Sequence, residues 1–160
     1  MSSTIFYLEM RSPSELQPSG VRAGFEFVEI CRASENSRLY REVGSSWQWE
    51  DRLPWSLEKW EEWVNRTEVI TWHVFFQGEE AGYVELERQE GGCVEIVYFG
   101  LVPGMIGRGL GGGMLTLAVG RIWEMEGTKR VWLHTCTEDH PAARVNYEKR
   151  GFRLFRTEEG

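Results

Sequence analysis

Five glycines fall within seven positions of this chain, at 107, 109, 111, 112 and 113, where an apolar repeat of helical spacing begins. In a helix interior each Gly costs about 1 kcal/mol relative to Ala, so the cluster demands a reason. Bare backbone supplies one. The first N–H groups of a helix have no intrahelical partner, and without side chains in the way they can approach an anion that the helix dipole also favours. Arg108 adds a cation, and a diphosphate fits such a cradle. Close packing of a helix on a sheet accounts for one or two of these glycines, not for five.

The string GRGLGG formally satisfies G-x-G-x-x-G, the dinucleotide fingerprint, but its context does not. That fingerprint opens a series of strand–helix units with an acidic residue about twenty positions on. Here alternating segments typical of antiparallel strands precede it, and the next strand ends in HTCTED about thirty positions on. A nucleoside triphosphate loop is also disfavoured, because the Lys-Ser/Thr that would close it is missing.

The rest of the chain reads as a single domain over 1–160. TIFYLE (4–9) is a short strand in an N-terminal arm, residues 1–20, followed by the Ser/Pro/Gly link SPSELQPSG. FEFVEI (25–30) alternates and opens the main sheet. SENSRLYREVG is a short helix stopped by Gly44, and Ser56 is an N-cap for SLEKWEEWV, with Leu57, Trp60, Trp63 and Val64 on one face. VITWHVFF and AGYVELER form a hairpin around QGEE, and CVEIVYFGLV adds a third antiparallel strand. A helix over about 109–126 then leads to the strand RVWLHTC, a helix from Pro141 to about Lys149, and the strand FRLF. Leu110, Met114, Leu117, Ala118 and Ile122 turn the long helix toward the sheet. This order predicts an α+β fold, a mostly antiparallel mixed sheet with one parallel β-α-β crossover and about four flanking helices.

A formal net charge of −7 argues against a phosphate backbone as the main partner, since nucleic-acid binding needs a basic face. Three widely spaced cysteines, 31, 93 and 136, suit a reducing compartment better than a disulfide framework. The first residues lack the basic-then-apolar order of a secretory signal, and no apolar run is long enough for a membrane span. A cytoplasmic protein without membrane or nucleic-acid partners is expected, acting as a monomer or homodimer.

VEIVYFGLVPGMIGRGLGGGML followed by HTCTEDHPAARVNYEKRGF resembles the GNAT superfamily of N-acetyltransferases, in order of elements over 25–155 and most specifically over 94–152. The family signature, Gln or Arg, two variable residues, Gly, a variable residue, then Gly or Ala, is met by Ile106-Gly107-Arg108-Gly109-Leu110-Gly111. Ile106 departs from it, having no side-chain donor. The resemblance implies acetyl-coenzyme A as co-substrate, its pyrophosphate on the amides of 107–112. It also implies that the strand before the turn splays from RVWLHTC, leaving backbone groups around Phe99, Leu101 and Val102 to bind the pantetheine arm as a strand would. AARVNYEKRGF is similar to the family's A-x-x-x-Y-x-K-x-G-F, which makes Tyr147 the general acid for the leaving thiolate. His140 stands where the family often has Asn; it either bonds the pantetheine arm or only begins the helix.

An amine must lose its proton before attacking a thioester, so a base is expected. Glu95, eleven residues before Ile106, holds the position of the base in histone-type members, with Glu85 as the alternative base and as a residue that binds the acceptor. Trp47, Trp49 and Trp55, beside Glu50 and Asp51, lie in a loop and suggest an aromatic, acidic site for an organic cation. His134, Cys136 and His140 lack any zinc-site spacing, and no metal is expected. The reading is an N-acetyltransferase acting on a primary amine of a small molecule, amino acid or peptide. The alternatives are transfer of another acyl group and a non-catalytic acyl-coenzyme A sensor.

Overall fold

Wherever apolar residues alternate in the sequence the computed structural model, which describes residues 3–45, 47 and 49–159, places a strand. There are seven: β1 (Thr4–Met10), β2 (Phe25–Ile30), β3 (Val69–Phe76), β4 (Glu79–Gln89), β5 (Cys93–Leu101), β6 (Arg130–Cys136) and β7 (Arg153–Glu159). Four α-helices accompany them: α1 (Ala33–Gly44), α2 (Leu57–Val64), α3 (Gly111–Glu124) and α4 (Ala143–Lys149). The strands hydrogen-bond in the order β2-β3-β4-β5-β6-β1-β7. β5 and β6 run parallel, whereas β1 is antiparallel to β6 and β7, and β3 to β2 and β4. This is the expected α+β architecture. The chain's packing divides into two compact units, Arg22–Glu87 with Val97–Leu110, and Met1–Val21 with Arg88–Ile96 and Gly111–Gly160.

In the first of these units the β3–β4 hairpin turns at Gln77 and Gly78, with φ of 51° and 81°. Positive φ at both central residues is what a two-residue turn needs to match strand twist. α1 buries Ala33, Asn36, Leu39, Tyr40 and Val43, the face its helical spacing dictates. The Ser56 side chain accepts the Lys59 N–H at 3.1 Å, as an N-cap should. Trp60 and Val64 of α2 are buried, but Leu57, expected on the same face, is 54% exposed.

An ion pair lies at the centre of this unit. Arg52, from the α1–α2 loop, donates from Nη1 to Oε1 of Glu85 at 2.7 Å and from Nη2 to Oε2 at 2.6 Å. Neither residue reaches solvent to any extent, Arg52 being 5% and Glu85 0% exposed. Trp63 Nε1 donates to the same carboxylate at 3.1 Å. The guanidinium carbon stands 4.5 Å from the Trp55 ring centroid, 4.7 Å from Tyr98, 4.9 Å from Trp63 and 5.1 Å from Trp60. The Arg52 backbone N–H also donates to the Tyr40 hydroxyl at 3.1 Å. One charged side chain thus ties an irregular loop to a central strand.

In the second unit β1, read in the sequence as a short strand of an N-terminal arm, is an interior strand of the sheet, flanked by β6 and β7. Leu8 opposite Leu133 and Met10 opposite Val131 are all buried, so the segment supplies core rather than decoration. On α3, Met114, Ala118 and Ile122 are fully buried as expected, joined by Leu115 and Val119, whereas Leu117 is only half-buried. The last strand, expected over FRLF, runs on to Glu159.

Breaking a buried pair strands a charge and costs about 3–5 kcal/mol, although replacing both partners by apolar residues is often nearly neutral. Glu85→Gln should therefore lower the unfolding free energy by about 3–5 kcal/mol in urea titrations. The double variant Arg52→Met, Glu85→Leu should recover most of that loss; a single variant within 1 kcal/mol of the parent would contradict a desolvated pair.

Candidate active site

The glycine-rich turn is built in two parts. In the unit that contains Val97–Leu110, β5 gives way at Val102 to a short 3-10 turn, Pro103–Met105, closed by the Ile106 N–H donating to Pro103 O at 3.3 Å. Gly107 and Gly109 follow with φ of 82° and 74°, a region that side-chain-bearing residues rarely enter. The chain needs glycine at both. Arg108 between them is exposed, its Nη1 3.1 Å from Met105 Sδ, and Leu110 is buried. A second cation was not foreseen: Arg22 Nη2 lies 3.5 Å from where a Cβ on Gly109 would be. Nothing in the local sequence around Arg22 marks it.

The backbone of β5 refines the expectation for the pantetheine arm. The Val102 N–H donates to Ala81 O at 2.8 Å, and its carbonyl accepts from Met105 N at 2.9 Å. Both groups are spent, so Val102 offers no backbone rung. Because strand residues alternate in direction, the same bond turns the backbone groups of Leu101 and Phe99 away from β4.

In the unit that contains Gly111–Gly160, α3 starts directly on Gly111, Gly112 and Gly113. Gly112 packs tightly: a Cβ there would come within 3.1 Å of Ser19 Oγ and 3.3 Å of Arg150 Nη1. Thr116 secures the turn, donating to Gly112 O at 2.7 Å and accepting the Ser19 N–H at 3.1 Å. The first turn of α3 therefore carries no side chains of its own, and the Ser19 hydroxyl and Arg150 guanidinium lie alongside Gly112.

Tyr147 is held by the way α4 ends. The Phe152 N–H donates to Tyr147 O at 3.1 Å and the Gly151 N–H to Glu148 O at 3.0 Å, the paired bonds of a Schellman cap. Gly151 takes the left-handed position at φ 106°, and a Cβ there would meet Glu15 O at 2.0 Å. The apolar contact such caps carry is the Tyr147–Phe152 ring pair, edge-on with centroids 6.2 Å apart. The spacing Y-x-x-x-G-F is thus a helix stop that fixes the tyrosine. Burial, then the negative charge of Asp139, pushes the Tyr147 phenol well above its ordinary pKa, so it keeps its proton at neutral pH. His140 begins the helix: its Nδ1 accepts the Ala142 N–H at 3.0 Å.

Glu95 sits in a chain of hydrogen bonds the sequence did not suggest. Gln89 Nε2 donates to Glu95 Oε1 at 3.0 Å, Trp132 Nε1 donates to Gln89 Oε1 at 2.9 Å, and His134 Nε2 stands 3.8 Å from Glu95 Oε2. The glutamate is 13% exposed in its side chain and His134 47%. Only strand pairing brings these groups together, with Glu95 opposite Trp132. α3 reaches the other face of the same strands, where Trp123 Nε1 meets Met10 Sδ at 3.3 Å. α4 is on that side too, since Arg144 lies over Phe6, which shares the face of Leu8 and Met10. Glu95 and Tyr147 therefore belong to opposite faces.

In the aromatic loop Trp55 packs over the protein's own Arg52. Trp55 meets Trp60 and Trp63 edge-on, and Trp49 packs at a tilt against Tyr40, Tyr83 and Tyr98. Trp47 is half-buried, its N–H bonded to Gly44 O at 3.0 Å. Glu85, named both as acceptor ligand and as alternative base, has its carboxylate held by Arg52 and Trp63. Arg52, Tyr83 and Tyr98 went unnoticed in the sequence, because a lone Arg in a loop and tyrosines in strands carry no local signal.

The family model described as acetyltransferase (GNAT) family matches residues 33–152, three-quarters of the chain. Among solved structures, a GCN5-related N-acetyltransferase from Sphaerobacter thermophilus superposes with a TM-score of 0.71 at 16% identity, over 97% of this chain and 49% of that one. Another from Kribbella flavida gives 0.68 at 18%, over 96% and 55%. The chain spans about half the length of both. An aminoglycoside acetyltransferase from an uncultured soil metagenomic sample, in complex with sisomicin, gives 0.61 at 11%, over 79% and 87%. No curated protein sequence matches. On the family match, with a fold shared by these structures, the chain belongs to the GNAT family of acetyltransferases.

Proposed function

We propose that this protein is an N-acetyltransferase that takes its acetyl group from acetyl-coenzyme A and delivers it to a primary amine of a small molecule, amino acid or peptide. The observation that carries this reading is the start of α3 on three consecutive glycines, preceded by two more in the left-handed region. The residues fit a phosphorylated carrier: a helix that opens on consecutive glycines, with Arg108 shortly before it in the sequence and no Cβ of its own to keep a phosphate away. In this reading the amides of 107–112 take the pyrophosphate, while Phe99, Leu101 and His140 line the path of the pantetheine arm. When bound, the acyl-coenzyme A supplies an electrophilic thioester carbonyl and a thiolate leaving group.

The chain's own groups divide the proton traffic. Glu95, steadied by Gln89 and next to His134, accepts the proton of the incoming ammonium. Tyr147, kept neutral by burial, holds a proton at Oη for the departing sulfur. Their placement on opposite faces suits direct attack, in which one proton leaves the nucleophile as another reaches the group on the far side of the carbonyl. No covalent enzyme adduct is needed.

Acceptor contacts are assigned to Trp47, Trp49 and Trp55 together with Glu50 and Asp51, which are exposed. Glu85 shapes this region through Arg52 instead of presenting a charge of its own. Cysteines 31, 93 and 136 are free thiols, which favours a reducing compartment, and the cytoplasm is the proposed location. Among the described residues no helix is long and apolar enough to cross a membrane.

The test is free-thiol release from acetyl-coenzyme A across a panel of cationic, neutral and anionic amines, where cationic acceptors should lead. Binding without release from any acceptor would favour a sensor over an enzyme. Tyr147→Phe should cut kcat at least tenfold while coenzyme A affinity stays within twofold, as expected of a group acting only in the chemical step. Equal turnover would remove the phenol from the mechanism. Glu95→Gln should lose activity near neutrality and regain it toward pH 10, where amines shed their protons unaided; a pH profile parallel to that of the parent enzyme would exclude Glu95 as base.

A further inference from the structure

A general base that keeps the proton it takes works only once. Glu95 lies on β5 with its side chain 13% exposed, so a proton accepted from an ammonium needs a defined way out before the next turnover. One of its oxygens is occupied, since Oε1 accepts from Gln89 Nε2 at 3.0 Å. The other, Oε2, stands 3.8 Å from His134 Nε2, and the His134 side chain is 47% exposed. A half-exposed imidazole thus reaches from a nearly buried carboxylate to solvent.

The neighbouring strands hold it there. His134 lies opposite Tyr7 in the β1–β6 register with ring centroids 5.7 Å apart, and the Trp132 ring is 6.5 Å away. The charged groups around it have partners of their own: Glu9 pairs with Arg130 at 2.6 Å and with Arg11 at 3.2 Å, and Arg156, over the Tyr7 ring, pairs with Glu158. Asp139, past the end of β6, accepts from Thr135 Oγ1 and the Cys136 N–H. The carboxylate at ion-pair distance from His134 is that of Glu95.

We propose that His134 is the proton outlet of Glu95. The proton that the acceptor's ammonium gives to Glu95 Oε2 passes to His134 Nε2, and the imidazolium releases a proton to bulk water, which returns the carboxylate and the neutral imidazole. The inference rests on Glu95 as the base of the proposed acyl transfer. The order of acidities runs the right way, because a carboxylic acid of ordinary pKa about 4.3 gives its proton downhill to an imidazole of about 6.5. A separation of 3.8 Å is too long for a hydrogen bond, and a small rotation of the ring or one water closes it. His134 acts through Glu95 as a positioning residue for the proton, without touching the acceptor.

The experiment compares parent, His134→Gln, Glu95→Gln and the double variant by thiol release in dilute buffer, with and without added imidazole, across the pH range. His134→Gln should lower kcat near neutrality about fivefold or more while KM and coenzyme A affinity stay within twofold, because only the exit of the proton is lost. Imidazole should restore most of that loss and leave the parent unchanged, and the two profiles should meet toward pH 10, where amines shed their protons unaided. The double variant should be no slower than Glu95→Gln, since no proton then reaches the relay. His134→Gln should unfold at the parent's temperature, as a half-exposed substitution does. A loss of kcat that imidazole leaves untouched would mark a structural role and overturn the inference. Equal kcat for His134→Gln and parent, with Glu95→Gln impaired, would also overturn it and keep the base; equal kcat for all four would remove both. Thiol release with no acceptor at all would end the reading on which the relay rests.

Discussion

The positive pole at the head of α3 is the constraint around which the functional region is arranged. A helix leaves its first amides without an intrahelical partner, and here the residues that carry them are glycines with no side chains of their own. Gly107 and Gly109 carry the backbone into that position through conformations other residues resist, and Thr116 and Ser19 lock the first turn from below. Arg22 stands near Gly109 in one unit and Arg150 near Gly112 in the other, in a protein whose net charge is −7.

A second charge, Arg52, does the opposite kind of work. It has a bidentate carboxylate, four aromatic rings and a tyrosine contact through its backbone, so nothing about it is left over for a ligand. Arg52 is satisfied internally and acts as a tether for an aromatic loop.

Elements governed by local chemistry were legible in the sequence: the hairpin at Gln77–Gly78, the Ser56 cap, the parallel crossover around α3, and the helix stop Tyr147–Phe152 whose bonds explain its own spacing. What escaped depends on partners distant in sequence. β1 reads as an isolated strand because its two neighbours lie more than a hundred residues further on. Val102 seemed available until Ala81 was seen to take its N–H. Arg52 and Glu85 are separated by a helix and a strand, and the Gln89–Glu95–His134 chain needs the β5–β6 register. Of the loop tryptophans named in the sequence, Trp55 packs over an arginine of the protein itself, a contact its neighbours in sequence do not announce.

The central claim concerns individual backbone amides, and these report directly in an amide-resolved NMR titration with coenzyme A. The account predicts saturable shifts largest at Gly107, Gly109 and Gly111–Gly113. Saturable binding that leaves those amides in place while shifting others would contradict it, as would a folded protein whose spectrum does not respond to millimolar ligand.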